Sequence, residues 1–339
     1  MRFKIIAGNL TAVVVLGLAS YWLVQSEFEQ RLVDDIEAGI GQEQLQLEHS
    51  WRLSGMEFMS AVRDRADTSQ LKSVFAALDE TGRRNRAYEA AEAVARWFQD
   101  PARGMPSSPE IVVITDETGH VMARNADRNQ MYGTPLEQQI PVLKDVLRSG
   151  TARIDIWNHT PTGDLLRTAV APISTFREGR LLGALVVSYD VSDGVALSEA
   201  KMIGRDVAFV SEGRVYSSSL PPQALAELKT FLFSGRAKAQ TYAALHDKAH
   251  ASNTWVTSLG DHVYQGVITP LPLTNAAPLA AVVLADRDEV LSKASPVNII
   301  LILTVFIALV VIGYGIVIGS MLLRPIEQIE EGVLGVING

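Results

Sequence analysis

The strongest constraint on the fold is a pattern of short apolar segments that occurs twice along the chain. Each copy has the spacing of a strand, a turn, a second strand, a helix and three further strands. An internal repeat defines a structural unit, so the sequence predicts two similar modules, each an antiparallel sheet covered by helices. Landmarks of the two copies lie 94, 98 and 96 residues apart, at Gly119 and Gly213, Pro172 and Pro270, and Asp190 and Asp286.

The period-two alternation and the turn-forming residues between apolar segments define the expected elements. The first copy is predicted to have a helix at 135–149 and strands at 111–114, 121–123, 152–158, 165–173 and 181–189. In the second copy, residues 240–252 interrupt the pattern, and we expect them to form a helix or a lid. That copy is predicted to have a helix at 221–233 and strands at 207–210, 215–216, 255–259, 262–271 and 279–285.

Residues 25–100, which precede the repeat, are predicted to be helical. This segment contains no proline, and its apolar side chains recur every four residues at Phe28, Leu32, Ile36 and Ile40. Such spacing places these side chains on one face of a helix. We therefore expect a long helical stalk before the first module.

Two long apolar segments, residues 5–24 and 297–323, flank the rest of the chain. Each reaches the ~20 residues that a helix needs to cross a bilayer. The first segment could instead belong to a cleaved signal peptide, but it is longer than a usual h-region, which favours an uncleaved anchor. Because Arg2, Lys4 and Arg324 lie beside the outer ends of the two segments, both termini are predicted to be cytoplasmic and the middle exported.

Composition and motifs limit the possible functions. The 339 residues carry a formal net charge of −8 and include no cysteine. An acidic chain without a basic stripe does not suit nucleic-acid binding, and a chain without cysteine cannot form disulfides or thiolate metal sites. No G-x-S-x-G, H-E-x-x-H or Walker motif occurs. We therefore predict no catalytic residues, no metal and no cofactor for this chain.

Residues 324–339 have the pattern of a helix that packs against partner helices. Apolar residues that are 3–4 positions apart form one seam, which needs a partner helix for its burial. A short helix that lies on lipid headgroups is the alternative. The segment resembles the first helix of a HAMP domain, which implies a homodimer and signal transmission through Pro325, Ile326, Ile329, Val333 and Val336.

A long amino-terminal helix and two α+β modules between two predicted membrane helices resemble the double Cache family of extracytoplasmic sensors, which are relatives of PAS domains. The resemblance covers about residues 25–291 and rests on the layout and the repeat. It implies seven segments along the chain. These are a cytoplasmic start (1–4), a first membrane helix (5–24), a helical stalk (25–100), a membrane-distal module (101–200), a membrane-proximal module (201–293), a second membrane helix (297–323) and a truncated HAMP helix (324–339).

The resemblance implies the sensory input region of a bacterial inner-membrane receptor with a periplasmic or extracellular ligand-binding domain. The distal module would bind a small molecule, and the signal would pass through the second membrane helix and HAMP to a cytoplasmic output domain. A histidine kinase, a chemotaxis transducer and a nucleotide cyclase are all compatible outputs. A membrane-anchored scaffold, which binds a protein partner and no small molecule, is the alternative.

The resemblance also places the ligand against the sheet of the distal module. This makes the polar and aromatic residues of its strands the candidate ligand-binding residues, namely Arg124, Trp157, Arg167, Tyr189 and Asp190. Trp157 and Tyr189 are equally expected in the core. Asp190 would bind a ligand amine, although Asp286 ends the equivalent strand of the second copy and suggests a structural role for both. The arginine–tryptophan–tyrosine–aspartate pattern of amino-acid-binding members is not found.

Arg167 is the most specific of these candidates. It lies in an otherwise apolar strand, where a guanidinium group is costly to bury without a partner. A ligand carboxylate bound by two guanidinium nitrogens would be a suitable partner. The alternatives are an ion pair with Asp155 on the neighbouring strand, or a position at the strand edge facing water.

Overall fold

The computed structural model describes residues 2–77, 79–100, 108–126, 131–159, 163–175, 179–235, 237–247, 253–271 and 278–294, with isolated positions between 302 and 317. The chain divides into two compact units, one formed by residues 37–287 and the other by residues 1–36 with 288–339. Both β-sheets lie in the first of these units.

The chain begins with one long helix, α1 (Arg2–Ala66). Two shorter helices follow, α2 (Ser69–Val74) and α3 (Glu80–Phe98). The carboxylate of Asp79 caps α3 by accepting a 2.6 Å hydrogen bond from the N–H of Gly82, which satisfies one of the unpaired donors at the start of the helix. Beyond residue 37, the buried side chains of α1 recur at helical spacing, at Ile40, Leu47, Trp51, Phe58 and Val62.

The first module contains strands β1 (Ile111–Asp116), β2 (Val121–Arg124), β3 (Arg153–His159), β4 (Asp164–Ser174) and β5 (Leu181–Asp190). They form one five-stranded antiparallel sheet in the order β2-β1-β5-β4-β3. A 3-10 turn (Leu136–Gln138) and helix α4 (Pro141–Ser149) connect β2 to β3.

The second module repeats this arrangement after a connecting helix, α5 (Asp193–Ile203). Its sheet has the order β7-β6-β10-β9-β8, which is the order of the first sheet with every number raised by five. The elements are β6 (Asp206–Ser211), β7 (Arg214–Ser218), α6 (Pro222–Ser234), α7 (Lys238–Asp247), β8 (Trp255–Leu259), β9 (His262–Pro270) and β10 (Ala280–Asp286), followed by α8 (Arg287–Ala294).

The first sheet is covered on both faces. One face packs against α1, α2 and α3 through side chains such as Phe58, Phe98 and Val187, and we call it the inner face. The other packs against the 3-10 turn and α4 through side chains such as Leu143 and Trp157, and we call it the outer face. Because successive side chains of a strand point to opposite faces, every strand of this sheet contributes to both cores.

The structure confirms the predicted α+β class, the long amino-terminal helix and the two antiparallel modules. Three elements differ from the prediction: α5 and α8 were not expected, and the helix expected from residue 135 begins only at Pro141, after the 3-10 turn. The break fits the chemistry of Pro141, which lacks an N–H group and suits the first position of a helix. A helix or a lid was expected at 240–252. The described residues of this segment belong to helix α7, which ends at Asp247.

Within the part of the chain that the structure describes, no helix has both the length and the mean hydropathy of a membrane span. The predicted second span, 297–323, lies mostly outside the described residues, and the predicted HAMP helix, 324–339, lies entirely outside them.

Candidate functional site

The strand register arranges the outer face of the first sheet in rows. Residues that lie directly opposite each other on neighbouring antiparallel strands share a face. Asp155 of β3 lies opposite Thr168 of β4, which lies opposite Ser188 of β5. These three polar residues form a row across the outer face.

All three members of this polar row are buried. Asp155 is 3% exposed, and Thr168 and Ser188 are fully buried. The hydroxyls of Thr168 and Ser188 are 2.8 Å apart and form a hydrogen bond, and Asp155 Oδ1 accepts a 2.8 Å hydrogen bond from the N–H of Ile156. Aspartate is seldom fully buried in proteins unless it is paired, and this main-chain hydrogen bond is one of the interactions of the Asp155 carboxylate.

A cavity of about 170 Å³ opens beside the polar row. Its walls are formed by residues 139–142 at the start of α4, residues 155–158 of β3 and Thr168 of β4. The second module contributes Glu212 from the turn between β6 and β7. The cavity is therefore built mainly by the first module and completed by a single carboxylate from the second.

Glu212 is held in an uncommon conformation at the cavity. Its φ of 45° is in the left-handed region, and the next residue, Gly213, has a φ of 77°. Positive φ at both central residues is the geometry of a tight hairpin turn, where Asn or Gly is usual. Glu212 Oε2 accepts a 2.8 Å hydrogen bond from Asn158 Nδ2. This contact joins the turn of the second module to β3 of the first.

The five residues predicted from the sequence are divided between the two faces. Trp157 and Asp190 lie in the row beside the polar row on the outer face, and Arg124 lies opposite Val113 on the same face. Arg167 and Tyr189 lie opposite each other on the inner face. The structure therefore brings only Trp157 into the wall of the cavity.

Arg167 binds helix α1. Its Nη1 donates a 2.9 Å hydrogen bond to Ser54 Oγ, and its Nη2 donates to the main-chain oxygen of Trp51. The guanidinium carbon lies 4.1 Å from the centre of the Trp51 ring. Burial lowers the pKa of Arg167 to about 10, and the nearby carboxylate of Glu199 partly opposes this shift. Neither expected alternative describes this arrangement, because Asp155 lies on the opposite face and the guanidinium is shielded from water.

Tyr189 is part of the inner core. Its ring packs edge-on against Phe58 at 5.0 Å and against Phe98 at 6.2 Å between ring centres. Burial raises the pKa of its hydroxyl. These contacts place Tyr189 in the core, where it was equally expected, and Tyr189 does not line the cavity.

Arg124 and Asp190 lie on the outer face but not in the wall of the cavity. Arg124 Nη1 is 3.8 Å from Met131 Sδ, and burial lowers the pKa of Arg124, with Glu110 opposing the shift. The pKa of Asp190 is raised, first by burial and then by neighbouring carboxylates, of which Asp164 is the largest contributor.

The sequence analysis missed Asp155, Thr168 and Glu212 as site residues. A signal for Asp155 was present, because it stands between Ile154 and Ile156 in a predicted strand, where an acidic residue must face either solvent or a special environment. No comparable signal existed for Glu212. It reaches the cavity only because the two modules pack together.

A second cavity, of about 910 Å³, lies in the second module. It is bordered by the end of α6, by α7 and by the β6–β7 turn, and its walls include Phe233, Tyr242 and Leu245. Tyr242 is 65% exposed. Thr241, its buried polar residue, is satisfied by a 2.9 Å hydrogen bond to the main-chain oxygen of Ala237. The smaller cavity is therefore the better candidate site, because it has a buried carboxylate in its wall.

Comparison with known proteins gives matches at the level of structure. No family description and no curated protein sequence matches the chain. The extracellular domain of vpHK1S-Z8, a protein assigned as a histidine kinase, superposes with a TM-score of 0.51 at 12% identity and covers 77% of this chain and 98% of that domain.

Two chemoreceptor domains are also similar, with TM-scores below 0.5. The ligand-binding domain of Campylobacter jejuni chemoreceptor Tlp3, in complex with 4-methylisoleucine, has a TM-score of 0.48 at 10% identity and covers 79% of this chain and 96% of its own. That of Pseudomonas aeruginosa chemoreceptor PctC, in complex with GABA, has a TM-score of 0.42 at 14% identity and covers 74% and 100%. The superposition on the extracellular domain of vpHK1S-Z8 shows that the described modules share its fold, as expected from the resemblance to double Cache sensors.

Proposed function

We propose that this chain is the sensory input region of a bacterial transmembrane receptor and that its first module binds a small solute. The observation that carries the proposal is the 170 Å³ cavity with the buried Asp155 in its wall. Ligand sites in proteins are typically concave and mostly apolar, with a few polar groups that orient the ligand. Ile140, Val142 and Trp157 supply the apolar surface here, and Asp155 and Thr168 supply the polar groups.

The volume of the cavity limits the size of the ligand. At ~30 Å³ for each molecule of liquid water, 170 Å³ corresponds to about six water molecules. Sites for drug-sized ligands begin at about 300 Å³. The expected solute is therefore a metabolite with few non-hydrogen atoms.

Strand β4 links the cavity to helix α1. Thr168 faces the cavity, whereas its neighbour Arg167 faces the opposite way and is bonded to Trp51 and Ser54 of α1. A ligand acts only by favouring one of two conformations of the protein. A small shift of β4 on binding would reach α1 through the rigid guanidinium contact, so this strand is the proposed start of signal transmission.

The proposed receptor crosses the membrane twice, through residues 5–24 and 297–323, with both termini in the cytoplasm and the sensor modules outside. The proposal is supported by the length and hydropathy of the two sequence segments. HAMP residues 324–339 would then carry the signal to the output domain. We expect the chain to sediment with membranes after carbonate extraction, and its release into the supernatant would contradict the two spans.

Dimerisation is supported by a stripe on α1 that faces away from the modules. Leu45, Leu53 and Met56 are 57%, 53% and 43% exposed. With Leu53 and Met56 at the a and d positions of a heptad, Arg52 and Glu57 take the flanking g and e positions. Residues at g and at the following e position form ion pairs between the helices of a parallel coiled coil. In a parallel pair of α1 helices, Arg52 of one copy would therefore face Glu57 of the other.

The proposed ligand site is tested by a thermal-shift screen of the purified full chain against small carboxylates, amino acids, amines and sugars. A ligand at a hundred times its Kd stabilises the folded state by ~2.7 kcal/mol, which corresponds to a rise in Tm of a few °C.

We expect a stabilising solute whose effect is lost in Asp155→Asn and in Thr168→Val. These variants keep the volume of the side chains, and the matched control Glu117→Gln removes an exposed acid elsewhere in the module. The absence of any hit in a broad library, or hits that all persist in both variants, would contradict the proposed site and favour the scaffold function.

A further inference from the structure

The contacts of helix α1 change from one module to the other at Trp51. One turn before this residue, Glu48 Oε1 accepts a 2.6 Å hydrogen bond from Thr269 Oγ1, which belongs to β9 of the second module. Three residues after it, Ser54 Oγ accepts a 2.9 Å hydrogen bond from Arg167 Nη1, which belongs to β4 of the first module. Trp51 is therefore the point at which α1 passes from the second module to the first.

The ring of Trp51 contacts both modules. The guanidinium carbon of Arg167 lies 4.1 Å from the ring centre, and the ring of Phe209 lies 5.1 Å from it, tilted by 38°. Trp51 is 2% exposed and Phe209 is fully buried. A protein interior is close-packed and transmits strain instead of absorbing it, so a displaced indole ring would displace both of its neighbours. One side chain from each module thus shares this ring.

Phe209 lies in the middle of strand β6 and points toward α1. Its neighbours Ala208 and Val210 point to the opposite face, where they pack in the core that includes Leu228 of α6. Strand β6 is paired with β10, in which Ala281 lies opposite Phe209. Because α8 follows β10 directly in the chain, β6 stands between the Trp51 contact and the strand that leads out of the second module.

The first module also contacts the end of β6 without α1. Glu212, the residue that follows β6, accepts a 2.8 Å hydrogen bond from Asn158 Nδ2, and the same nitrogen lies 3.3 Å from the Tyr216 hydroxyl of β7. Asn158 belongs to β3, which is paired with β4, the strand of Arg167. Two neighbouring strands of the first sheet therefore reach β6 at two points, one through α1 and the other directly.

We propose that β6 is the element through which the first module sets the conformation of the second, with Trp51 as the coupling residue. A displacement of β4 moves Arg167 against the Trp51 ring, Phe209 follows the ring, and β6 carries β10 with it through their hydrogen bonds. The proposal goes beyond solute binding, because it assigns the coupling between the modules to named residues. The coupling exists without a ligand, so it can be tested in the free protein.

A triple-mutant cycle tests the role of Trp51 in the purified full chain. Arg167→Met and Phe209→Leu are made singly and together, and the unfolding constant of each variant in water is obtained by urea denaturation. The effects of distant residues add, whereas those of residues with a shared partner commonly do not. We expect the effect of the double variant to differ at least threefold from the product of the single effects. This difference should disappear when the cycle is repeated with Trp51→Leu.

Val146→Ala is the matched control, since Val146 is fully buried but belongs to the outer core, on the other side of the first sheet from α1. Its effect should combine with that of Phe209→Leu to within threefold of the product. Coupling below threefold between Arg167 and Phe209, coupling that persists with Trp51→Leu, or equal coupling for Val146 would overturn the proposal. None of these results bears on solute binding, which the ligand screen decides separately.

A second measurement avoids destabilised variants. The chain contains five tryptophans, so 5-fluorotryptophan gives five ¹⁹F resonances, and Trp51→Phe identifies that of Trp51. Glu212→Asn shortens the side chain that Asn158 binds, and asparagine tolerates the left-handed conformation of this position. We expect this variant to shift the Trp51 resonance by more than its linewidth, whereas Glu117→Asn, at an exposed position of the first module, should not. An unchanged Trp51 resonance in Glu212→Asn would overturn the role of β6.

Discussion

At the scale of single residues, the site depends on which face of a strand each side chain occupies. Arg167 and Thr168 are neighbours in β4, yet one binds α1 and the other lines the cavity. The sequence could identify Arg167 as a buried charge in an apolar strand, but not its partner. A shift of one residue exchanges the two faces of a strand, and only the packing of α1 on the inner face shows which face is which.

The contacts of Arg167 predict a structural effect without an effect on binding. Arg167→Met removes the hydrogen bonds to Ser54 Oγ and to the Trp51 carbonyl group, and with them the contact of the guanidinium group with the Trp51 ring. We expect the free energy of unfolding to fall by about 2–4 kcal/mol in urea denaturation. Ligand affinity of the folded variant, measured by calorimetry, should change by less than about threefold.

Arg167→Lys is the matched control for this substitution. It keeps the positive charge but loses the planar fork that reaches two acceptors at once, so its stability should lie between those of the wild type and Arg167→Met. A variant that keeps its stability and loses ligand affinity would return Arg167 to the ligand site.

At the scale of elements, the repeat was the most informative part of the sequence. All ten strands were predicted close to their observed positions, because short apolar runs bounded by turn-forming residues indicate strands that are buried on both faces. Helix α5 was not predicted, since it is short and only Ala196 and Ile203 of its residues are buried. The cavity could not be predicted at this scale, because its walls come from α4, from β3 and from a turn 54 residues beyond Asn158.

The exposed stripe of α1 predicts a parallel contact between two copies of this helix. The chain contains no cysteine, so single substitutions allow clean disulfide cross-linking. We expect Leu53→Cys and Met56→Cys to form covalent dimers under mild oxidation, because a and d side chains meet their counterparts in a parallel pair.

Leu197→Cys is the matched control, since Leu197 is also an exposed leucine, 46% accessible, but lies on α5. It should remain monomeric under the same conditions. Cross-linking that is equal at all three positions, or absent at 53 and 56, would rule out the α1 pair.

At the scale of the whole molecule, the two modules have the same topology but different relations to the candidate site. The first supplies the buried carboxylate, the tryptophan and the strand that contacts α1, whereas the second supplies Glu212. This division links occupancy of the first cavity to the packing of the second module. The larger cavity in the second module shares Glu212 as a border residue, so the two spaces are neighbours on either side of one turn.

The most direct test of solute binding in the first module is hydrogen–deuterium exchange of the full chain with and without the best ligand from the screen. Ligands slow exchange where they suppress local opening. We predict added protection in peptides that cover residues 139–143 and 153–159, with little change in residues 238–247 of the second module. Protection confined to residues 238–247 would place the ligand in the larger cavity and contradict the proposed site.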